Sequence, residues 1–244
     1  MQGYTRRQLK QDKFVETAQG AAAWTATHRQ AVMYSAIVAI VIVVVGSGLW
    51  AWRNKQNDAA NLALSGAMRT FTAPIRPLGA PATDTQSFAS MAERGKAAEK
   101  QFKEIADKYS HTEAGKIAGY LEGVSAMQAG DNGTAEQYLK ATADSGDKNI
   151  AALAKMALAN YYRSSNRAAD ATRLYKDLAD HPTDTVSKAA AQLAMAETYE
   201  NSDPQQAKAL YQQIQKEDPT GPAGQTAAAK LSGDRGAATN LPSE

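Results

Sequence analysis

Side chains that could do chemistry are few in this sequence, and none stands in a recognised catalytic or metal-binding pattern. The three histidines are His28, His111 and His181, and none belongs to a zinc motif such as H-E-x-x-H. No G-x-S-x-G motif frames a serine nucleophile. The absence of cysteine excludes thiol catalysis, disulfides and cysteine-ligated zinc. We therefore predict a protein that is not an enzyme and has no catalytic residue, no cofactor and no metal.

One short stretch, residues 129–134 with the sequence AGDNGT, has the composition of a phosphate- or calcium-binding loop. It lacks the lysine of a P-loop and the ligand series of an EF-hand. A turn between two helices accounts for the same residue types, and we interpret the stretch as such a turn.

The charge of the chain argues against a nucleic-acid partner. There are 27 Lys and Arg residues against 25 Asp and Glu, a formal net charge of +2 at pH 7. Residues 1–30 hold five basic and two acidic residues, so the remainder is slightly acidic. Binding to a phosphate backbone needs clustered Lys and Arg. We therefore predict no nucleic-acid partner, and no motif indicates a small-molecule substrate.

Residues 31–52, AVMYSAIVAIVIVVVGSGLWAW, are the most apolar stretch of the chain and contain no charged residue. As a helix this run would span roughly 30 Å, the thickness of a bilayer's hydrocarbon core. A secretory signal is the alternative, but its apolar core is shorter and its cleavage site needs small residues. Because this run ends in the bulky Leu49–Trp52, we predict an uncleaved transmembrane helix.

The predicted anchor separates a basic arm, residues 1–30, from the bulk of the chain. Basic residues close to the span are nearly balanced on its two sides, and a long following segment is exported largely regardless of its charge. We predict a single-pass protein of the bacterial inner membrane, with its N-terminus in the cytoplasm and its C-terminal domain in the periplasm. The arm is interpreted as a solvated tail that sets topology, or else as a segment that touches anionic lipid or a partner.

After the span, apolar spacing predicts a succession of helices. Residues 53–72 carry an apolar stripe at helical spacing. Three prolines and a glycine in residues 73–90 cannot continue a helix and predict a loop. Helical periodicity then resumes over residues 91–231, and residues 232–244 are interpreted as a polar tail. Because strand-like alternation is missing beyond the span, we predict an all-α fold.

The helical region contains an internal repeat of 36 residues. A period in the thirties is typical of helix–turn–helix repeats, in which small residues let paired helices approach closely and a large residue fills the gap to the next pair. The recurring positions are a small residue, an alanine twelve residues later and a large residue four residues after that: Gly123, Ala135 and Leu139; Ala159, Ala171 and Tyr175; Met195 or Ala196, Ala207 and Tyr211.

The turn residues repeat as well. Gly130 and Asn166 suit the left-handed conformation that ends a first helix. Asp203 followed by Pro204 suits the start of a second helix. These residues predict where the helices of each copy meet.

The second copy resembles the tetratricopeptide repeat through the series Leu158-Ala159…Tyr162…Ala171…Tyr175…Pro182. The family period is about 34 residues, and this sequence has 36, no tryptophan near the start of the first helix and Leu139 in place of an aromatic. It therefore resembles a degenerate version. The resemblance implies a solenoid of about four helix pairs, the first of which begins with residues 53–72.

The order of basic arm, single span and repeat domain is similar to that of the YfgM-type family of bacterial ancillary Sec-translocon subunits. This resemblance implies an exported repeat domain that contacts the translocon or a periplasmic chaperone.

A helical-repeat domain usually binds its partners on the concave face formed by the first helices of its pairs. Met and Tyr on that face suit an adaptable surface for apolar peptide. Plain inter-repeat core is the alternative interpretation of each position. The residues predicted there are Tyr120, Val124, Met127, Met156, Asn160 and Arg163.

These features predict a membrane-anchored protein-binding scaffold, an ancillary or chaperone-like factor at the protein-export machinery. The alternative is an assembly factor for another cell-envelope complex, in cell division or outer-membrane biogenesis. An enzyme would need a site formed in three dimensions without a sequence motif.

Overall fold

The computed structural model of the chain describes residues 28–77 and 86–238, and for residues 234–238 it describes the backbone alone. Most of the predicted basic arm and the middle of the predicted loop lie outside the described residues. Within them the chain is all-helical, which confirms the predicted fold class. The helices are α1 Arg29–Phe71, α2 Met91–Lys108, α3 Glu113–Ala129, α4 Asn132–Ala143, α5 Lys148–Ser164, α6 Ala168–Asp180, α7 Lys188–Tyr199, α8 Pro204–Glu217 and α9 Pro222–Ala238.

The chain divides into two compact units, residues 1–56 and 57–244, and α1 contributes to both. In the first unit the large apolar side chains from Met33 to Trp52 are exposed. This stretch is long and apolar enough to cross a membrane, and a signal sequence can share that length and composition. The hydroxyls of Ser35 and Ser47 donate to the helix carbonyls of Val32 and Val44, at 2.9 and 3.0 Å. Both hydroxyl donors are thereby satisfied inside the helix, as a bilayer requires.

In the second unit the end of α1 packs against α2 and α3. The buried contacts involve Ala60 and Ala67 of α1 and Ala98 of α2. Phe71 and Phe102 meet edge to face, with ring centroids 5.9 Å apart. The predicted first pair of the repeat domain, formed by residues 53–72 and the helix around Phe102, is therefore present.

The connection between α1 and α2 is closed at its base. The Arg76 N–H donates to the Phe88 carbonyl at 2.8 Å, and the Phe88 N–H donates to the Pro74 carbonyl at 3.1 Å. The amide of Gln86 also donates to the Thr70 hydroxyl at 3.0 Å. The two ends of the connection are held together by these bonds on the last turn of α1.

The remaining helices form sequentially packed pairs, α3 with α4, α5 with α6 and α7 with α8, each also contacting the next helix in the chain. Helix α9 packs on α8 at the end. Counted with α1 and α2 this gives four pairs, as predicted. Helix α9 extends to Ala238, seven residues beyond the boundary at residue 231 that was predicted between the repeats and the tail.

The caps lie where the turn residues predicted them. Gly130 and Asn166 have positive φ angles of 81° and 59°. The Asp203 carboxylate accepts from the Gln206 N–H at 3.0 Å, with Pro204 in the first turn of α8. Such capping satisfies backbone groups that the helix ends leave without partners.

Small residues set the distance between paired helices. The repeated alanines Ala135 and Ala171 are fully buried. In the third copy Ala196, not Met195, takes the small position, since Ala196 is fully buried and Met195 is half-buried. At Gly123 an added Cβ would lie 2.8 Å from Leu139 Cγ, so only glycine fits there without rearrangement.

Two glycine-to-alanine changes in α3 should therefore act in opposite directions. At Gly123 the added Cβ would also lie 3.3 Å from the Leu139 backbone nitrogen, and we expect the alanine variant to lose about 1–3 kcal/mol of unfolding free energy through overpacking. At Gly119 the nearest atom is the Ala106 Cβ at 3.9 Å, so Gly119→Ala should gain the ~0.5–1 kcal/mol by which alanine exceeds glycine in a helix. Urea denaturation measures both variants. Equal effects would contradict the close approach of α3 and α4.

Candidate protein-binding surface

The first helices of the pairs form one layer of the repeat domain. Helix α3 contacts α5, α5 contacts α7 and α7 contacts α9, whereas among the described residues α4, α6 and α8 make no comparable contacts with one another. A stack whose members touch in one layer and separate in the other curves toward the first layer. We infer that α3, α5 and α7 line the concave side. The predicted binding residues belong to α3 and α5.

The structure brings four of the six predicted residues to one place. Tyr120, Val124 and Met127 of α3 and Met156 of α5 are half-buried and pack against the same cluster of buried residues. We call it the central cluster, formed by Leu139, Ala154, Leu158, Ala159, Tyr162, Ala171 and Tyr175. Burial of Tyr120 also raises the pKa of its hydroxyl. Each of these four side chains therefore contributes to the core and still presents part of its surface.

The two polar residues of the predicted set are exposed but already bonded. The Asn160 carbonyl oxygen accepts from the Tyr175 hydroxyl at 2.6 Å, and burial raises the pKa of that hydroxyl to about 12. The Arg163 guanidinium lies 2.7 Å from the Glu197 carboxylate. Asn160 thus connects α5 to α6, and Arg163 connects α5 to α7.

The binding residues predicted from the sequence include none from α7. Ala194 and Met195 of α7 pack against the central cluster beside the residues of α5, and Glu197 pairs with Arg163 across the layer. Because the third copy is shifted by one residue, the 36-residue period did not show which side chains of this helix face the surface. The signal that could have found it is the adjacent Ala196, which restores the small position.

A separate cleft of about 540 Å³ lies beside the first half of α5, between the ends of α4 and α6. Its charged residues include Lys155, Asp177 and His181. The ammonium of Lys155 lies 2.6 Å from the Asp177 carboxylate and holds the pKa of that carboxyl below its usual range. His181 lies 3.2 Å from the same carboxylate. This aspartate is thus engaged by its own neighbours.

In the part of the chain that the structure describes, no group of three or more His, Cys, Asp or Glu side chains could hold a metal ion. The expectation that the protein has no metal, no cofactor and no catalytic residue stays a prediction.

The ion pair between Arg163 and Glu197 should contribute little to stability. Their side chains are 38% and 31% exposed, and partly exposed pairs are worth about 0.2–1 kcal/mol because water and salt screen them. We expect a double-mutant cycle with Arg163→Ala and Glu197→Ala, followed by urea denaturation, to give a coupling in that range that shrinks in high salt. A coupling that is large and unaffected by salt would show that the pair is structural and that Arg163 is a poor probe of binding.

Searches with the whole chain found no matching family model, no matching curated protein and no matching solved structure. The resemblance to the tetratricopeptide repeat therefore depends on the residues of this sequence alone. The helical repeat itself rests on the packing of successive pairs.

Proposed function

We propose that this chain is a non-enzymatic, membrane-anchored scaffold that binds segments of other proteins on the layer formed by α3, α5 and α7. The observation that carries the proposal is the half-buried apolar surface of that layer, to which Tyr120, Val124, Met127 and Met156 contribute. Methionine side chains adapt to different partners, which suits binding to varied sequences.

The charges of the layer favour an uncharged partner segment. Arg163 and Glu197 neutralise each other across α5 and α7. A charged side chain brought onto this surface would lose water without gaining a counter-ion, which is costly. The proposed ligand is an apolar, uncharged stretch of polypeptide, and its binding should depend little on salt.

The candidate span supports a location at a membrane. We propose the bacterial inner membrane, with the arm in the cytoplasm and the repeat domain in the periplasm. We further propose that the partners belong to the export machinery, as translocon subunits or periplasmic chaperones. This last step rests on the resemblance of the order of arm, span and repeat domain to that of the YfgM-type family.

Site-specific crosslinking tests the binding surface and its partners together. A photoreactive amino acid placed at Tyr120 or Arg163 of the full-length protein in membranes should capture translocon subunits or periplasmic folding factors. The matched controls are the exposed positions Gln137 of α4 and Arg173 of α6, where we expect little capture because they lie on the second helices.

Capture of cell-division or outer-membrane assembly factors at Tyr120 and Arg163 would favour the alternative, an assembly factor for another envelope complex. Equal capture at all four positions, or none at any, would contradict binding by the layer.

Protease accessibility tests the orientation. In intact spheroplasts, added protease should digest residues 57–244 because they lie outside, and an epitope placed at the N-terminus should survive until the membrane is lysed. Immunoblotting of both ends measures this. Protection of the repeat domain until lysis would show that the orientation is reversed.

A further inference from the structure

Three buried side-chain atoms in residues 28–77 and 86–233 have no hydrogen-bond partner: Arg94 Nε, Glu122 Oε1 and Ser125 Oγ. All three lie on α2 or α3. Buried polar atoms without partners are rare in folded proteins, and three in one helix contact need an explanation. Glu122 matters most because its group can lose or gain a charge.

Glu122 is only 5% exposed, and its position does not supply a strong ion pair. Its nearest cation is the Lys103 ammonium, 3.8 Å from Oε1. The Lys103 side chain is 51% exposed, and its ammonium is shared with Asp107 at 3.5 Å. A buried carboxylate at this distance from a shared, hydrated cation regains little of the solvation free energy that it loses on burial.

The helices around Glu122 are packed closely, so its side chain has little room to move toward water. An added Cβ at Gly95 of α2 would lie 2.5 Å from the Ala129 nitrogen and 2.8 Å from the Ser125 carbonyl oxygen of α3. The two backbones are thus in direct contact one turn away from Glu122. A carboxylate that gains a charge here has to push against tightly packed neighbours in order to reach water.

The groups that face Glu122 come from two helices. Helix α2 contributes Glu99, Lys103 and Asp107, and α4 contributes Tyr138. Burial raises the pKa of Glu122, and the charges of Asp107 and Glu99 add to the rise. A hydrogen bond from the Tyr138 hydroxyl and the charge of Lys103 oppose it. Burial also raises the pKa of Glu99, which lies beside Asp131. The surroundings as a whole favour the neutral form of Glu122.

We propose that Glu122 is a proton-operated switch on the contact between α2 and α3: protonated, it tightens the contact, and ionised, it loosens it. The contact joins the first helix pair, formed by α1 and α2, to the rest of the repeat domain. The switch does not depend on what the domain binds.

The switch has a consequence for binding that rests on the proposed function. Helix α3 carries Glu122, and it also carries Tyr120, Val124 and Met127 of the proposed binding layer. Protonation would therefore fix the position of α3, one of the three helices of that layer. On the exported side of a membrane the protein would meet the acidity of its surroundings directly.

The direction of the pH effect follows from the raised pKa. Below the ordinary pKa of glutamate the group is neutral in both the folded and the unfolded chain. As pH rises from there through the raised folded value, the folded protein must bury a charge, so the contact loses stability. Glu136 on α4 behaves in the opposite way, because its hydrogen bond with Lys140 lowers its pKa. A local measurement is therefore needed, since whole-protein stability mixes both signs.

Hydrogen exchange of the full-length protein in detergent micelles gives that local measurement. After correction for the intrinsic pH dependence of exchange, peptides from residues 91–129 of the wild type should exchange several-fold more slowly at a pH below the ordinary pKa of glutamate than at pH 7.5. Glu122→Gln carries no charge and should show the slow rate at both pH values. The control Glu104→Gln changes an exposed glutamate of α2 and should keep the wild-type response.

Two results would overturn the proposal. One is a wild-type exchange rate in residues 91–129 that does not change with pH after correction. The other is an unchanged pH response in Glu122→Gln. Because the readout is exchange and not partner capture, failure here would leave the proposed function standing, and failure of the crosslinking would leave the switch standing.

Discussion

The repeat domain depends on how closely its paired helices can approach, and small residues set that distance. Gly123 lies against the side chain of Leu139, and Gly95 lies against the backbone of α3. Ala159 and Ala196 are fully buried at the corresponding positions of the later pairs. With alanine and glycine at the contacts, a few large side chains are enough to fill each layer. The fully buried ones are Phe102, Leu139, Tyr175 and Ile214.

This constraint also explains how much of the fold could be predicted from the sequence. The alanines at 36-residue spacing predict the helix pairs, because small residues allow paired helices to approach closely. The turn residues Gly130 and Asn166 predict the helix ends, because both suit the positive φ angles found there. The end of α9 and the register of the third copy were harder. A helix end without a strong cap or proline has no clear sequence signal. In the third copy, Met195 occupies the position that the period assigns to a small residue.

The sequence predicted which side chains share one cluster, but not all of their contacts. Helical spacing puts Tyr120, Val124 and Met156 on the inner layer, and the structure finds them half-buried there. The sequence could not tell that Arg163 is paired with Glu197, because that contact joins residues 34 positions apart through the stacking of α5 and α7. The sequence analysis did not single out Glu122 for a similar reason, because the groups that face it come from α2 and α4.

Hydrogen bonds close the base of the connection between α1 and α2, so the packing of these helices does not depend on the length of the segment between them. Two backbone hydrogen bonds between Pro74–Arg76 and Phe88 already hold the ends together. Beyond that point, doubling the number of intervening residues costs only about 0.6 kcal/mol of closure entropy. The protein can therefore acquire insertions here, up to an entire grafted epitope or domain, while α1 and α2 keep their alignment. This site offers a natural route by which such a protein could diversify, and a practical one for labelling it.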